Sequence, residues 1–329
     1  MKSHKHGAAI ALLTAACVLW GLSFPVSKAL SEFYLAAMPG ESTWFVTGIQ
    51  GAIRFLAAGL LMFFVATRSF LSLTRGEFQQ GLKLGIYGGI GMVLQIDGLN
   101  YTPASTSAFL TQAFCVILPV YHVLRKLEFP EFRTIVSTLL VLGGVIILAR
   151  FDFRTFGVGR GELETLISTL FFTAQILELE RPRHALNRTA NVSIVMFLAI
   201  GLLFATVAFA TNKEPIHFFR AVQFGPALIL SASLILFCTL GAFNLMNRWQ
   251  QHITSTEAGL IYTAEPLFAS LFALLLPSWI SSWSRLTYEN ESFSANLIIG
   301  GGLILSANLV MQLRKDQPYI STSLEIPES

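Results

Sequence analysis

The charges of this chain avoid ten stretches, and that avoidance limits what it can fold into. Apolar segments at 8–27, 44–66, 84–99, 104–124, 134–149, 163–177, 192–210, 226–246, 256–276 and 296–313 hold five Asp, Glu, Lys or Arg side chains, whereas the remaining residues hold 36. Most segments approach the ~20 residues that a helix rising ~1.5 Å per residue needs to cross ~30 Å of hydrocarbon. The third, fifth and sixth are shorter, yet no soluble fold supplies polar elements to cover ten such neighbours. With 53% hydrophobic and 12% charged residues, the chain has too little polar surface for a water-facing globule. Backbone groups in lipid must be satisfied within the protein, which leaves helices. The expected class is an all-α integral membrane protein with ten transmembrane helices, multi-pass in the cell (inner or plasma) membrane.

Orientation follows from lysine and arginine in the connections. With the N-terminus in the cytoplasm, fourteen fall on that side, among them Arg68, Arg75, Lys83, Arg181, Arg183 and Arg188. Seven fall on the other: Lys28, Arg150, Arg154, Arg160, Lys213, Arg220 and Arg285. Both termini, 1–7 and 314–329, are then expected to be cytoplasmic tails, although the loop with Arg150, Arg154 and Arg160 runs against the trend. The net charge of +3 reflects this bias and gives no reason to expect nucleic acid as a partner. Cys17, Cys115 and Cys238 all lie inside apolar segments, so neither a disulfide framework nor a metal site is expected. HExxH, GxSxG and GxxxxGK[ST] are all absent, which argues against an intramembrane enzyme or an ATP-driven pump and implies no cofactor.

The chain also repeats itself. Phe55-Leu56-Ala57-Ala58-Gly59-Leu60-Leu61 in the second segment matches Phe197-Leu198-Ala199-Ile200-Gly201-Leu202-Leu203 in the seventh, and Ser105-Thr106-Ser107-Ala108-Phe109-Leu110 in the fourth matches Ser255-Thr256-Glu257-Ala258-Gly259-Leu260 in the ninth. The halves are placed at 8–149 and 163–313, with extra residues near Leu276 to Tyr288. Five spans per half is an odd number, so the second half enters the membrane from the opposite side. Such inverted repeats are common in transporters, where two related halves enclose a site near the bilayer midplane.

These residues carry a family resemblance. Leu19-Trp20-Gly21-Leu22-Ser23-Phe24, Arg54-Phe55-Leu56, Gly98-Leu99-Asn100-Tyr101-Thr102 and Thr256 to Phe268 with Glu265-Pro266 together resemble the drug/metabolite transporter superfamily, EamA type, from residue 8 to 313. The resemblance implies a ten-helix inverted-repeat bundle that moves small organic solutes, often outward, with both halves lining a central cavity. The chain has Val116 where the family often has a proline, and Phe172 opposite Trp20.

Two side chains need explanation in a bilayer, because an ionised group at its centre costs about 2.5 to 3.5 kcal/mol on insertion scales. Arg54 and Glu265 each fall near the middle of a segment. Arg54 could attract a substrate carboxylate and Glu265 an amine or a proton, or the two could form a buried ion pair that fixes packing. Trp20, Ser23, Gln95, Gln175 and Tyr262 complete the candidate cavity-lining set. Trp20, Ser23 and Ser27 share one helical face, as do Glu164, Ser168, Gln175 and Glu178, and also Tyr87, Gly91 and Gln95. Such faces line an aqueous route or bond to neighbouring helices. Gln112, His122, Asn244 and Asn308 are expected to bond between helices, Asp97 and Glu257 to be solvated near the membrane boundary, and Gly143-Gly144 and Gly300-Gly301-Gly302 to allow close packing.

The expected function is secondary export of a small organic metabolite such as an amino acid, by alternating access, with protons as a candidate coupling ion at Glu265. The rival readings are a flippase for a lipid-linked solute and a non-transporting membrane scaffold or sensor.

Overall fold

The computed structural model describes residues 2–114, 116–117, 120–121, 124, 132–149, 158–179, 181–184, 186–221, 225–249, 252, 261–284 and 286–312, and the described residues form helices joined by short connections. The helices are α1 (Lys2–Ala37), α2 (Thr43–Val65), the one-turn α3 (Thr67–Phe70), α4 (Arg75–Gly98), α5 (Ala104–Thr111), α6 (Phe132–Leu148), α7 (Arg160–Leu179), α8 (Thr189–Thr211) and α9 (Ile216–Ala221). There follow α10 (Gly225–Ser233), a π-helical stretch (Leu234–Gly241), α11 (Ala242–Trp249), α12 (Glu265–Ser284) and α13 (Ala295–Gln312). Five helical stretches are long and apolar enough to cross a membrane: Lys5–Ala37, Thr43–Val65, Thr189–Thr211, Gly225–Met246 and Glu265–Ser284. Phe132–Leu148 and Ala295–Val310 are shorter apolar helices. Leu139, Leu202, Phe209, Leu236, Trp279 and Ile298 are all more than half exposed, as side chains facing lipid tails would be.

Local chemistry sets several helix starts. Ser42 accepts from the Phe45 amide at 3.2 Å and starts α2. Thr74 and Glu77 form a reciprocal capping box at the start of α4. The first amides of α5 lack a local side-chain cap, since Pro103 precedes them, and are satisfied from far away: the Glu291 carboxylate accepts from the amides of Ala104 at 2.5 Å and Ser105 at 3.3 Å.

Helices of the first half pack mainly on helices of the second. α2 lies against α8, α4 against α7 and α8, α6 against α13, α5 against α7 and α12, and α1 against α12 and the 225–249 stretch. The α2–α8 seam contains the two matched heptads. A Cβ on Gly59 would stand 2.8 Å from Leu198, and one on Gly201 would stand 2.7 Å from Leu56, so each glycine admits the leucine that corresponds to its counterpart's neighbour. Phe55 and Phe197 meet at 6.2 Å between ring centroids, and Phe55 stacks on Phe204 at 5.8 Å. The α6–α13 seam repeats this arrangement. Gly144 faces Gly300 and Ile304, while Gly300 faces Gly144 and Leu148. The close backbone approach expected of these glycines is thus realised at Gly144 and Gly300.

Two boundaries differ from the sequence reading. The ninth segment was placed at 256–276, but α12 runs from Glu265 to Ser284 and takes in most of the residues set aside as an insertion. Serines that resemble loop signals there bond back into the helix, Ser281 to the Pro277 carbonyl at 2.9 Å and Ser282 to the Trp279 carbonyl at 2.7 Å. The apolar face also continues, with Ile280 1% exposed against α1. The first segment likewise extends, to Ala37.

Candidate functional site

Arg54 sits on α2 at 4% exposure, where α2 meets α8 and the π-helical stretch. Its Nε donates to Thr239 Oγ1 at 2.8 Å, and its guanidinium carbon lies 5.0 Å from the Phe55 ring centroid. Thr239 is held by its own bond to the Leu234 carbonyl five residues back, at 2.9 Å. The extra residue per turn in 234–241 therefore positions the acceptor for Arg54, and such π segments recur at functional sites. Nothing in the local sequence signalled it. Glu265 is not within ion-pair distance of Arg54, and among the described residues no carboxylate is. The buried ion pair considered from sequence is not formed in this structure.

Glu265 is the first residue of α12 and is half-buried, with no hydrogen-bond or ion-pair partner among the described residues. The chain turns at Thr263 and Ala264 just before it, and Pro266 stands in the first turn, where a missing amide leaves no helical bond unmade. The sequence placed Glu265 in the middle of a continuous helix. Instead its carboxylate lies at a helix N-terminus, which favours negative charge. Gly21 of α1 lets this end come close: a Cβ there would stand 3.0 Å from the Glu265 carbonyl and 2.8 Å from the Ala269 amide. Cys17 completes the contact by bonding the Ile261 carbonyl at 3.4 Å.

A run of aromatic contacts leads from Arg54 through Trp20 to Tyr262. Its ring meets Tyr262 at 5.7 Å and Phe243 at 5.9 Å, Phe243 meets Phe197 at 5.4 Å, and Phe197 meets Phe55, over which Arg54 lies. Arg54, Trp20 and Tyr262 thus belong to one connected cluster, and Glu265 follows Tyr262 by three residues. Ser23, half-buried, lies one turn beyond Trp20 on α1.

Gln95 and Gln175 are placed elsewhere. Gln95 donates to Thr111 at 2.8 Å, tying α4 to α5, and Gln175 donates to the Leu84 carbonyl at 3.2 Å and reaches Met196 Sδ at 3.7 Å. The polar face of α7 is a packing face: Glu164, Ser168 and Glu178 are buried, and Glu178 is ringed by Arg183 at 2.8 Å, Arg181 at 2.9 Å, His184 at 3.1 Å and Lys83 at 3.5 Å. Gln112 is buried. Asn244 is exposed, and Asn308 is fully buried with neither amide atom partnered among the described residues, so the interhelical bond expected of Asn308 is not made there. His122 and Glu257 lie outside the described residues.

Asp97 is a clearer correction. It was expected to be solvated, yet it is fully buried, accepting from Arg160 at 2.5 Å and Thr47 at 3.2 Å. Arg160 also donates to Glu164 at 2.7 Å and to the Tyr101 hydroxyl at 2.5 Å, and its guanidinium lies over the rings of Tyr101 and Trp44. The charge of Arg160 that opposed the orientation trend is therefore compensated. At the same end of the bundle, Thr102 is bonded by Lys28 at 2.7 Å and bonds Glu162 at 2.7 Å, and a pocket of about 420 Å³ opens beside Glu162 and Glu291.

Comparison with known proteins agrees with this architecture. Residues 7–150 match the EamA-like transporter family. Over that stretch the chain is similar to the EamA-like transporters. A protein of Archaeoglobus fulgidus, named an uncharacterized transporter, is 27% identical over 307 residues, 92% of this chain and 85% of its own length. A crystal structure of another protein, 16% identical, superposes with a TM-score of 0.54 over 92% of this chain and 96% of that one, a likeness of fold. With five helical stretches long and apolar enough to cross a membrane, the chain is a multi-pass membrane protein that resembles these transporters.

Proposed function

We propose that this transporter exports a small zwitterionic or anionic metabolite, such as an amino acid, across the cell membrane by alternating access between two inverted five-helix halves, 8–149 and 163–313. Arg54 carries the reading. A guanidinium has five donors, and among the described residues one is used, in a buried setting with no described carboxylate nearby. A buried cation left in that state is costly unless an anion visits it. A substrate carboxylate supplies that anion, Trp20 and Tyr262 offer ring faces to its body, and Glu265 receives its amine or a proton.

The packing supports inverted halves. Exchanging each helix with its counterpart in the other half turns the contacts of α4 with α7 into those of the 225–249 stretch with α1, and the contacts of α5 with α7 into those of α12 with α1. The α2–α8, α6–α13 and α5–α12 contacts map onto themselves, as pairs beside a two-fold axis do. Basic residues gather at the Glu77 end of the bundle, which the positive-inside rule assigns to the cytoplasm along with both termini.

The deciding experiment is uptake and efflux of a mixed amino-acid and metabolite pool by proteoliposomes, with and without a pH gradient, read by mass spectrometry. Gradient-dependent movement of a carboxylate-bearing solute is expected. Movement of a lipid-linked solute alone would favour a flippase, and no movement by folded, inserted protein would favour a scaffold or sensor. Glu265→Gln should abolish the gradient dependence; a variant that inserts normally and keeps both rate and pH dependence would end the proton role of Glu265.

A further inference from the structure

The Arg160 cluster holds more negative charge than it neutralises. Asp97 Oδ2 and Glu164 Oε1 accept from Nη2 and Nε, adjacent donors on one edge of a single guanidinium, so the two carboxyls lie side by side. Asp97 is fully buried and Glu164 is 8% exposed. Three of their four oxygens have donors: Thr47 and Arg160 for Asp97, and Arg160 for Glu164. The fourth, Glu164 Oε2, is buried with no partner. Two ionised carboxyls cannot satisfy each other, because each only accepts, whereas a carboxylic acid also donates.

Among the described residues, the surroundings supply no second cation. α2 contributes Thr43 and Thr47, the turn after α4 contributes Tyr101 and Asn100, and α7 contributes Arg160 itself. The next charges, Lys28, Glu162 and Glu291, surround Thr102 and the start of α5, and Glu32 is near Lys28. Lys28 is occupied by the Thr102 carbonyl.

We infer that Asp97 and Glu164 together hold one exchangeable proton, carried on Glu164 Oε2, at the end of the bundle opposite Glu77. With the proton in place, one carboxylate remains for one guanidinium, and α2, α4 and α7 are clamped through Arg160. Removing it leaves two negative charges beside one positive charge in a water-poor site and loosens the clamp. Water reaches the cluster along Arg160, 43% of whose side chain is exposed, and exchanges the proton. Proton binding here does not depend on the solute, but its use in coupling rests on the transport reading above.

The test is infrared difference spectroscopy of the full-length protein in bilayers as pH is raised, in light and heavy water. A carboxylic-acid C=O band that shifts on deuteration and disappears at high pH is expected in wild type. It should be lost in Glu164→Gln, displaced in Glu164→Asp, and retained in Glu265→Gln. A band with unchanged position and pH dependence in Glu164→Gln and Asp97→Asn, or no such band in wild type, would overturn the assignment. Melting curves identify a misfolded variant, and the Glu164→Asp displacement then decides. If the band behaves as expected in a protein that moves no solute, the proton site stands and the transport reading falls.

Discussion

A single buried charge shows what each side chain must do to exist in lipid. Arg54 costs little only if its guanidinium finds electron density, and Thr239 and the Phe55 ring provide part of it. A charge-assisted bond to a substrate carboxylate contributes about 1.5 to 3 kcal/mol. Arg54→Gln should therefore slow transport of anionic or zwitterionic solutes roughly 10- to 100-fold more than that of neutral ones, measured by competitive uptake in proteoliposomes. Equal loss for all solutes would reassign Arg54 to packing. At the other end Glu77, 2% exposed, receives Arg188, Asn191 and the Thr74 amide, and Arg188 chiefly holds its carboxyl well below the ordinary glutamate range. A folded-state value below the unfolded value of about 4.3 means that the stabilisation is complete above that pH and is lost as pH falls below it. The melting midpoint of wild type in micelles should drop on acidification through that window. Glu77→Gln should melt lower at neutral pH and lose much of the acid dependence, and an unchanged acid profile would remove Glu77 from that role.

At the scale of helices, the seams depend on absent side chains. Gly144 and Gly300 bring α6 and α13 into backbone contact, with a Cβ on Gly144 standing 2.7 Å from the Gly300 carbonyl. Gly144→Leu should cost about 1 to 3 kcal/mol through overpacking, seen as a lower midpoint in a thermal-unfolding assay. Gly302→Ala, where nothing lies within 4 Å, should have no such effect. Helix positions were largely legible from sequence because apolar runs of the right length have one solution in lipid. Breaks in helices were less legible. The π-helical stretch at 234–241 occupies a uniformly apolar run, and the break before Glu265 shows in sequence only as Pro266, which also reads as a proline within a longer helix.

At the scale of the whole molecule, the proposed alternating access requires the two proposed halves to move against each other. Replacing Thr102 and Glu162, whose side chains meet at 2.7 Å, with cysteines in a background lacking Cys17, Cys115 and Cys238 would permit a cross-link at the Asp97 end. Oxidation should abolish transport and a reductant should restore it. Full activity with the link verified by mass spectrometry would show that this end does not open.

The residues Arg54, Trp20, Tyr262 and Glu265 could be nominated from sequence because charge and aromatic faces in an apolar run stand out against their neighbours. Gln95 and Gln175 stood out for the same reason, yet their partners Thr111 and the Leu84 carbonyl make them ties between helices. Asp97, Arg160 and Glu164 escaped notice as a group because 63 residues separate the first two, and each alone resembles a solvated boundary charge. Sequence by itself determined the membrane class and the order of the apolar helices, since hydrophobic length and periodicity are local properties that add along the chain. Tertiary structure alone decided which charges pair, which acceptor Arg54 finds and which carboxyl oxygen stays unpartnered, because those outcomes depend on distances between side chains that are remote in the chain.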